Sequence, residues 1–238
     1  RELFEESYFN QSLFTYEIKN NIIYKRLNGV FGLGIETEEL SRKDFDNKTV
    51  NQDLQFLYTQ FDIECFNYFN LIAGTRYDNY IGYNSEISNK IALGISLPNN
   101  IKINSSVGTG FKVPDFRQRY FNFTNSTVGY TVFGRDIVID KLTHMQDEGM
   151  IQIMFVDLSE IETPLLSESS TNINIGINYK TKRFSYNLNF YKNSLENLIE
   201  AQLVANKTNS LPIFTYFNIN QVETKGVEFH GSYNITDN

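Results

Sequence analysis

Residues able to do covalent or metal chemistry are few and far apart in this chain. Among 238 residues there is one cysteine, Cys65, there are two histidines, His144 and His230, and there is no tryptophan. A disulfide needs a cysteine pair and a structural zinc site about four Cys or His ligands, so neither is available. A Ser/His or Cys/His couple would rest on two isolated histidines, the carboxylates are scattered, and neither Gly-x-Ser-x-Gly nor His-Glu-x-x-His occurs. No catalytic residue, metal site or cofactor is therefore expected. Candidates for non-covalent recognition instead gather between Lys112 and Glu168: Arg117, Arg119 and Arg135 as cations, Tyr130 and Phe133 in the run Gly129–Gly134, and the pair His144-Met145. Segments longer than about 12–15 residues without regular structure are usually functional or disordered. This one carries pattern: a hairpin-like aromatic run at 129–134, a short helix over 135–147 with Ile137, Leu142 and Met145 to one side, and a further strand over 150–158. A lid over a bound ligand is the expectation, and a plain surface loop the alternative.

The elements that would hold this segment announce themselves by period-2 alternation, the signature of strands with two unlike faces. In Thr171–Tyr179 one face reads Ile173, Ile175, Ile177, Tyr179 and the other Asn172, Asn174, Gly176, Asn178. Ile91–Leu97, Phe184–Phe190 and Thr224–Ile235 repeat the pattern. Strands are expected near 12–26, 30–40, 51–64, 67–78, 85–97, 101–111, 169–180, 184–199 and 213–234, with residues 1–10 as the stub of another. Leu54, Phe56 and Tyr58 fall on one parity and Phe61 and Ile63 on the other, which suggests a β-bulge near Thr59–Gln60. Tight turns are expected at Leu27–Gly29, Cys65-Phe66, Pro98–Asn100, Thr181–Arg183 and 234–238. Long connections alternate with them at 41–50, 79–84, 112–168 and 200–212.

Strands of about 11 residues, in a meander with short turns at one end and long loops at the other, have the layout of a transmembrane antiparallel up-and-down β-barrel. The fold class is therefore all-β, a partial barrel of about nine or ten strands, with the apolar row toward lipid, the amide row toward a wet lumen, and tyrosines near strand ends at the interfaces. A soluble sandwich also alternates, but it would bury Glu228 in its core at a cost. The charge of −7 and pI near 5.0 exclude a nucleic-acid footprint. No apolar run reaches the roughly 20 residues of a helical span, and the opening Arg-Glu-Leu-Phe-Glu-Glu has no signal-peptide pattern. The mean hydropathy of −0.35 averages the two rows and the polar loops, so it does not argue for a soluble protein.

Four segments in order carry a family resemblance. Gly108-Thr109-Gly110-Phe111-Lys112-Val113-Pro114, with Tyr120 six residues beyond the proline, resembles the strand end that opens a large external loop in TonB-dependent outer-membrane receptors. Pro164-Leu165-Leu166-Ser167-Glu168 is similar to the box that leads into the next strand, with Ser167 where the family commonly has proline. Phe190–Ile199 resembles the next strand end, and Tyr216-Phe217-Asn218 followed by Lys225-Gly226-Val227-Glu228 resembles the returning strand.

The resemblance implies that residues 1–238 are an interior section of the barrel domain, since such barrels have about 22 strands around a plug. Plug and C-terminal strands are expected elsewhere in the protein. It implies a Gram-negative outer-membrane location, contact with outer-membrane lipid, import of a scarce bulky nutrient such as a ferric siderophore or haem, and energy coupling by the inner-membrane TonB complex through the plug. Gly108 and Gly110, on the lumen face, would leave room for the plug, and Pro114 would end ladder pairing. Arg117, Arg119 and Arg135 would attract an anionic chelate or haem propionates. His144 and Met145 would be candidate axial ligands for haem iron. The other class of function is a non-transport β-sheet binding protein or adhesin that holds a carbohydrate or protein through its long loops.

Overall fold

The computed structural model describes residues 8–45 and 48–235. Alternation produces nine long strands: β1 (Phe9–Tyr24), β2 (Leu27–Arg42), β3 (Thr49–Cys65), β4 (Phe69–Tyr80), β5 (Glu86–Leu97), β6 (Ile101–Lys112), β10 (Glu168–Lys180), β11 (Phe184–Lys207) and β12 (Pro212–Tyr233). Between β6 and β10 lie α1 (Phe116–Tyr120), β7 (Asn122–Thr124), β8 (Thr131–Phe133), α2 (Val138–Asp147), β9 (Ile151–Met154) and α3 (Leu158–Ile161). The described strands form one 12-stranded sheet in the order β1-β2-β3-β4-β5-β6-β10-β11-β12-β8-β7, with β9 paired to β11. Every pairing is antiparallel except β8 with β12. Both ends of this path are open, so the chain forms an arc of a barrel and not a closed one.

Register assigns the faces. Ile91 pairs with Val107, Val107 with Ile173, Ile175 with Phe190 and Phe190 with Val227, so these side chains form one continuous apolar row. The partners one step away are Lys90 with Gly108, Gly108 with Asn172, Gly176 with Asn189 and Asn189 with Glu228, a small and amide-rich row. On the apolar row Val227 is 61% and Phe229 68% exposed. A sheet face this long and apolar, which no described residue covers, is built for a non-aqueous neighbour.

Several sequence expectations shift. The β1–β2 turn is Lys25-Arg26, with Tyr24 opposite Leu27 and Lys25 at φ 52°, so Leu27–Gly29 belongs to β2. Cys65 closes β3, and the next turn is Phe66–Tyr68, in which Phe66 and Asn67 take positive φ of 53° and 61°. The Pro98–Asn100 turn stands as expected, with Asn99 and Asn100 at φ 63° and 61°. The 200–212 connection is no loop: β11 and β12 continue as a hairpin whose turn lies between Lys207 and Pro212. The turn expected at 234–238 and the stub at 1–10 fall largely outside the described residues.

There is also no bulge at Thr59–Gln60, because β3 keeps one register against β2 and β4 throughout. Leu54, Phe56 and Tyr58 point to the amide side. Phe56 sits opposite Gly34 and Tyr58 opposite Gly32. A Cβ on Gly32 would strike the Tyr58 ring, and one on Gly34 the Tyr16 carbonyl and the Phe56 ring. The two rings thus lie flat over a neighbouring strand that has no side chains there. The Arg76 guanidinium covers Phe56 at 4.4 Å and pairs with the buried Asp78 at 2.8 Å, while the Tyr58 hydroxyl donates to Glu17.

Buried side chains collect at the long-loop end. One core joins Phe133, Val138, Leu142, Ile161, Val204, Ala205 and Ile213. A second joins Leu40, Phe45, Val50 and Phe116. Residues 112–168 are therefore a folded subdomain, seated on the hairpin extension of β11 and β12.

Candidate functional site

The motif residues sort into a seam that carries this subdomain. The Pro114 side chain is fully buried. Asp115 follows as N-cap of α1: its carboxylate accepts from the N–H groups of Arg117 and Gln118, and the Gln118 side chain accepts from the Asp115 N–H. The chain thereby leaves β6 and turns at once into a helix. Tyr120 and Phe121 pack on the second core, which ties α1 to β2 and β3.

On the return side, β10 stops at Glu168 while β11 runs on. The Glu168 carboxylate takes over where the β10 ladder ends, accepting from the Ile199 N–H at 2.8 Å and pairing with Lys112 at 3.5 Å. Asn218 holds the 164–168 box by its backbone. Its Oδ1 accepts from the Leu166 N–H (2.9 Å), and its Nδ2 donates to the carbonyls of Leu166 (3.0 Å) and Asn197 (2.6 Å). Asn197 stands at φ 56°, and Leu165 is buried beside this clip. Gly226 lies under Tyr191, where a Cβ would approach the phenol oxygen to 2.6 Å. Gly108 and Gly110 lie on the amide side as expected, with Phe111 edge-on to Tyr80 at 6.1 Å. Glu228 shares that side with Asn189, 3.5 Å away. Below them Asn70, Asn104, Asn174 and Asn187 line a depression of about 320 Å³.

The ligand candidates scatter over the subdomain. Arg119 is the best held: it pairs with Asp136 at 3.0 Å and covers the rings of Tyr120 and Tyr83 at 4.5 and 5.0 Å, joining α1 to the β4–β5 connection. Burial pushes the Tyr83 phenol up to about 12. Arg117 points outward and pairs loosely with Asp115 at 3.6 Å. Phe133 is in the first core, and Met145 packs against it from α2. His144 is on the opposite side of α2, its side chain 70% exposed and 3.5 Å from Glu148. Tyr130 meets Phe123 and Phe214 edge-on.

Arg135 has a structural place. It is 7% exposed and donates to the carbonyls of Glu160 (2.9 Å), Thr163 (3.1 Å) and Tyr216 (3.1 Å), with its guanidinium 4.5 Å above Phe217. Burial lowers its pKa. It clamps α3 and the segment after it to β12. Lys207, near the tip of the hairpin, gave no sequence signal because 200–212 reads as a polar loop.

An antiparallel meander with one bare apolar row, one amide row and a folded long-loop end defines a section of a transmembrane β-barrel. No described helix is long and apolar enough to cross a membrane. A family model described as TonB dependent receptor-like, beta-barrel, matches residues 4–238, and the chain belongs to that family. Barrels of this family lie in the outer membrane of Gram-negative bacteria and belong to receptors and transporters, not enzymes. The fold resembles the siderophore receptor PirA from Pseudomonas aeruginosa, at 16% identity over 95% of this chain and 40% of that one, with a TM-score of 0.71. It also resembles a mutant of the ferric enterobactin receptor PfeA from the same organism (14%, 96% and 34%, 0.70). A third is a double mutant of the Serratia marcescens hemophore receptor HasR, in complex with its hemophore HasA and heme (11%, 96% and 39%, 0.66). This chain thus spans well under half the length of each. No curated protein matches the sequence.

Proposed function

We propose that this section belongs to an outer-membrane receptor that captures a ferric siderophore or haem and imports it, with passage driven by the TonB complex of the inner membrane. The carrying observation is that residues 112–168 fold into a subdomain with its own core at one end of the barrel wall. Such a body is a scaffold for recognition, whereas an unstructured connection would not be. The amide row, with Gly108 and Gly110 leaving its surface low and Glu228 set among asparagines, suits a hydrated lumen and a plug held within it. The siderophore receptors among the structural relatives, and the hemophore receptor in complex with its hemophore and heme, support this ligand class. Nothing specific favours the adhesin reading.

The test uses the full-length receptor in a Gram-negative host that lacks its other iron receptors. Under iron limitation, a ferric siderophore or haem as sole iron source should support growth, and deletion of the host's TonB should abolish it. Growth unaffected by loss of TonB, or no growth on any ferric chelate or on haem, overturns the proposal.

A further inference from the structure

The amide side of β4–β6, β10 and β11 is hollowed in a way the wall itself does not require. Along one ladder row Asn70 faces Gly94, Gly94 faces Asn104, Asn104 faces Gly176 and Gly176 faces Asn189. Glycine weakens a strand, so in a strand it normally answers to a positive φ or to a neighbour that needs the space. Gly32, Gly34 and Gly226 have such neighbours in the rings of Tyr58, Phe56 and Tyr191. Gly94 and Gly176 have neither reason. Neither has a positive φ. An added Cβ would come no closer than 3.5 Å at Gly94 and 3.6 Å at Gly176, in each case to an asparagine side-chain oxygen, which is ordinary contact. The space above them is kept for something other than the wall.

That space is continuous and leads to one end of the barrel. The depression of about 320 Å³ over Gly94 and Gly176 shares Asn70, Gly94 and Asn104 with a second one of about 430 Å³, which reaches Asn67 and Tyr68 in the β3–β4 turn. Together they form a trench from the middle of the wall to the short-turn rim, the end opposite the folded subdomain. Its floor offers amide donors and acceptors, which replace hydration water without gripping a solute, as a route of passage needs. Lys90 lines the end toward the subdomain and Lys102 the rim. Among the described residues neither forms an ion pair, and the two outnumber Glu64, the one carboxylate that lines the trench.

We propose that this trench is the arc of the wall along which the imported anion passes toward the periplasmic rim, with Gly94 and Gly176 keeping it open and Lys90 and Lys102 drawing the charge along it. The proposal rests on the receptor reading above and adds which part of the wall the solute follows. Residues that hold a ligand at the long-loop end and residues that line its way out are then separate sets, so binding and passage can be altered apart.

The test uses the full-length receptor in the iron-limited host with its TonB intact. Equilibrium binding and initial uptake are measured on cells with two probes, a radiolabelled ferric tricatecholate and haem. Gly94→Leu and Gly176→Leu each place a side chain in the trench and should slow uptake at least about fivefold, while binding stays within about twofold of the parent. Asn104→Asp keeps the size of the side chain but sets a negative charge on the floor, and should slow uptake about 3- to 10-fold with binding again unchanged. Thr224→Leu, on the amide side of β12 opposite Asn193 and outside the trench, should leave uptake within about twofold. Parental uptake by all three trench variants overturns the path and leaves the receptor reading standing. Loss of binding together with uptake in the two leucine variants also overturns it, and places the plug against these glycines instead. Slowing by Thr224→Leu as large as theirs overturns it too, since any bulk in the lumen would then be a block. A parent that takes up neither probe overturns the path for these anions, and iron-dependent growth shows separately whether the receptor reading falls with it.

Discussion

Replacing Arg135 with methionine tests whether the subdomain depends on a single clamp. Methionine keeps an unbranched apolar chain over Phe217 but leaves the carbonyls of Glu160, Thr163 and Tyr216 without the guanidinium. A hydrogen bond from a charged donor contributes about 1.5–3 kcal/mol, so three suggest a large loss. Two corrections reduce it. Glu160 and Thr163 are exposed residues whose carbonyls water can reach, while Tyr216 is partly buried and its carbonyl is the one left dry, at about 1–3 kcal/mol. Removing a charge that burial already disfavours also returns part of the cost. The net loss is about 2–4 kcal/mol, confined to the contact of α3 with β12. Hydrogen exchange on the full-length receptor reads this locally: amides of 157–166 and 213–217 should exchange faster by about two orders of magnitude for a loss near 3 kcal/mol. Arg135→Lys should fall between, since one ammonium cannot span three carbonyls. Acceleration below about threefold, or an equal effect in β4–β6, would refute the clamp.

Other substitutions probe the wall and the subdomain surface. Gly32→Ala should destabilise the folded barrel by about 1–3 kcal/mol and be largely rescued by Tyr58→Leu, whereas Gly34→Ala should resist rescue by Phe56→Leu because its Cβ also meets the Tyr16 carbonyl; urea unfolding in lipid vesicles separates the two. Tyr83 is raised in the folded state, so the stability it lends is complete below pH 10 and is lost as pH climbs toward about 12. A difference titration of parent against Tyr83→Phe should show one phenol ionising near that upper value, and a midpoint near 10 would contradict its burial. Glu168→Gln keeps an acceptor for the Ile199 N–H but loses the pair with Lys112; it should cost less than about 1 kcal/mol, while Glu168→Ala should raise exchange at Ile199 at least about tenfold. His144→Ala should leave thermal unfolding within about 0.5 kcal/mol of the parent, as suits an exposed side chain with one exposed partner.

The wall was legible because its physics is local. Where one row meets lipid and the other a lumen, alternate residues must differ, and Thr171–Tyr179 shows this without any neighbour being known. Legibility fails where the deciding residue is on another strand. The phase break at Phe56 and Tyr58 looks like a bulge in β3 alone, and only Gly32 and Gly34 across the ladder show that the rings have an empty strand to cover. It fails again at 200–212, where both faces of the hairpin leave the bilayer and the lipid no longer imposes a pattern. Asn28-Gly29 misleads for a related reason. The pair has turn chemistry, yet Gly29 is needed in the strand, where an added Cβ would come to 3.2 Å from the Phe61 ring.

The same contrast explains why motif residues and ligand candidates behave differently in the structure. Glu168, Asn218 and Leu165 converge because each repairs an interruption of the ladder where β10 ends and β11 continues, and such repairs require a particular side chain at a particular register. Arg119 and Arg135, chosen from sequence as anion-attracting groups, are engaged instead by rings, carbonyls and Asp136. A cation that holds the fold together has already spent its field on protein partners.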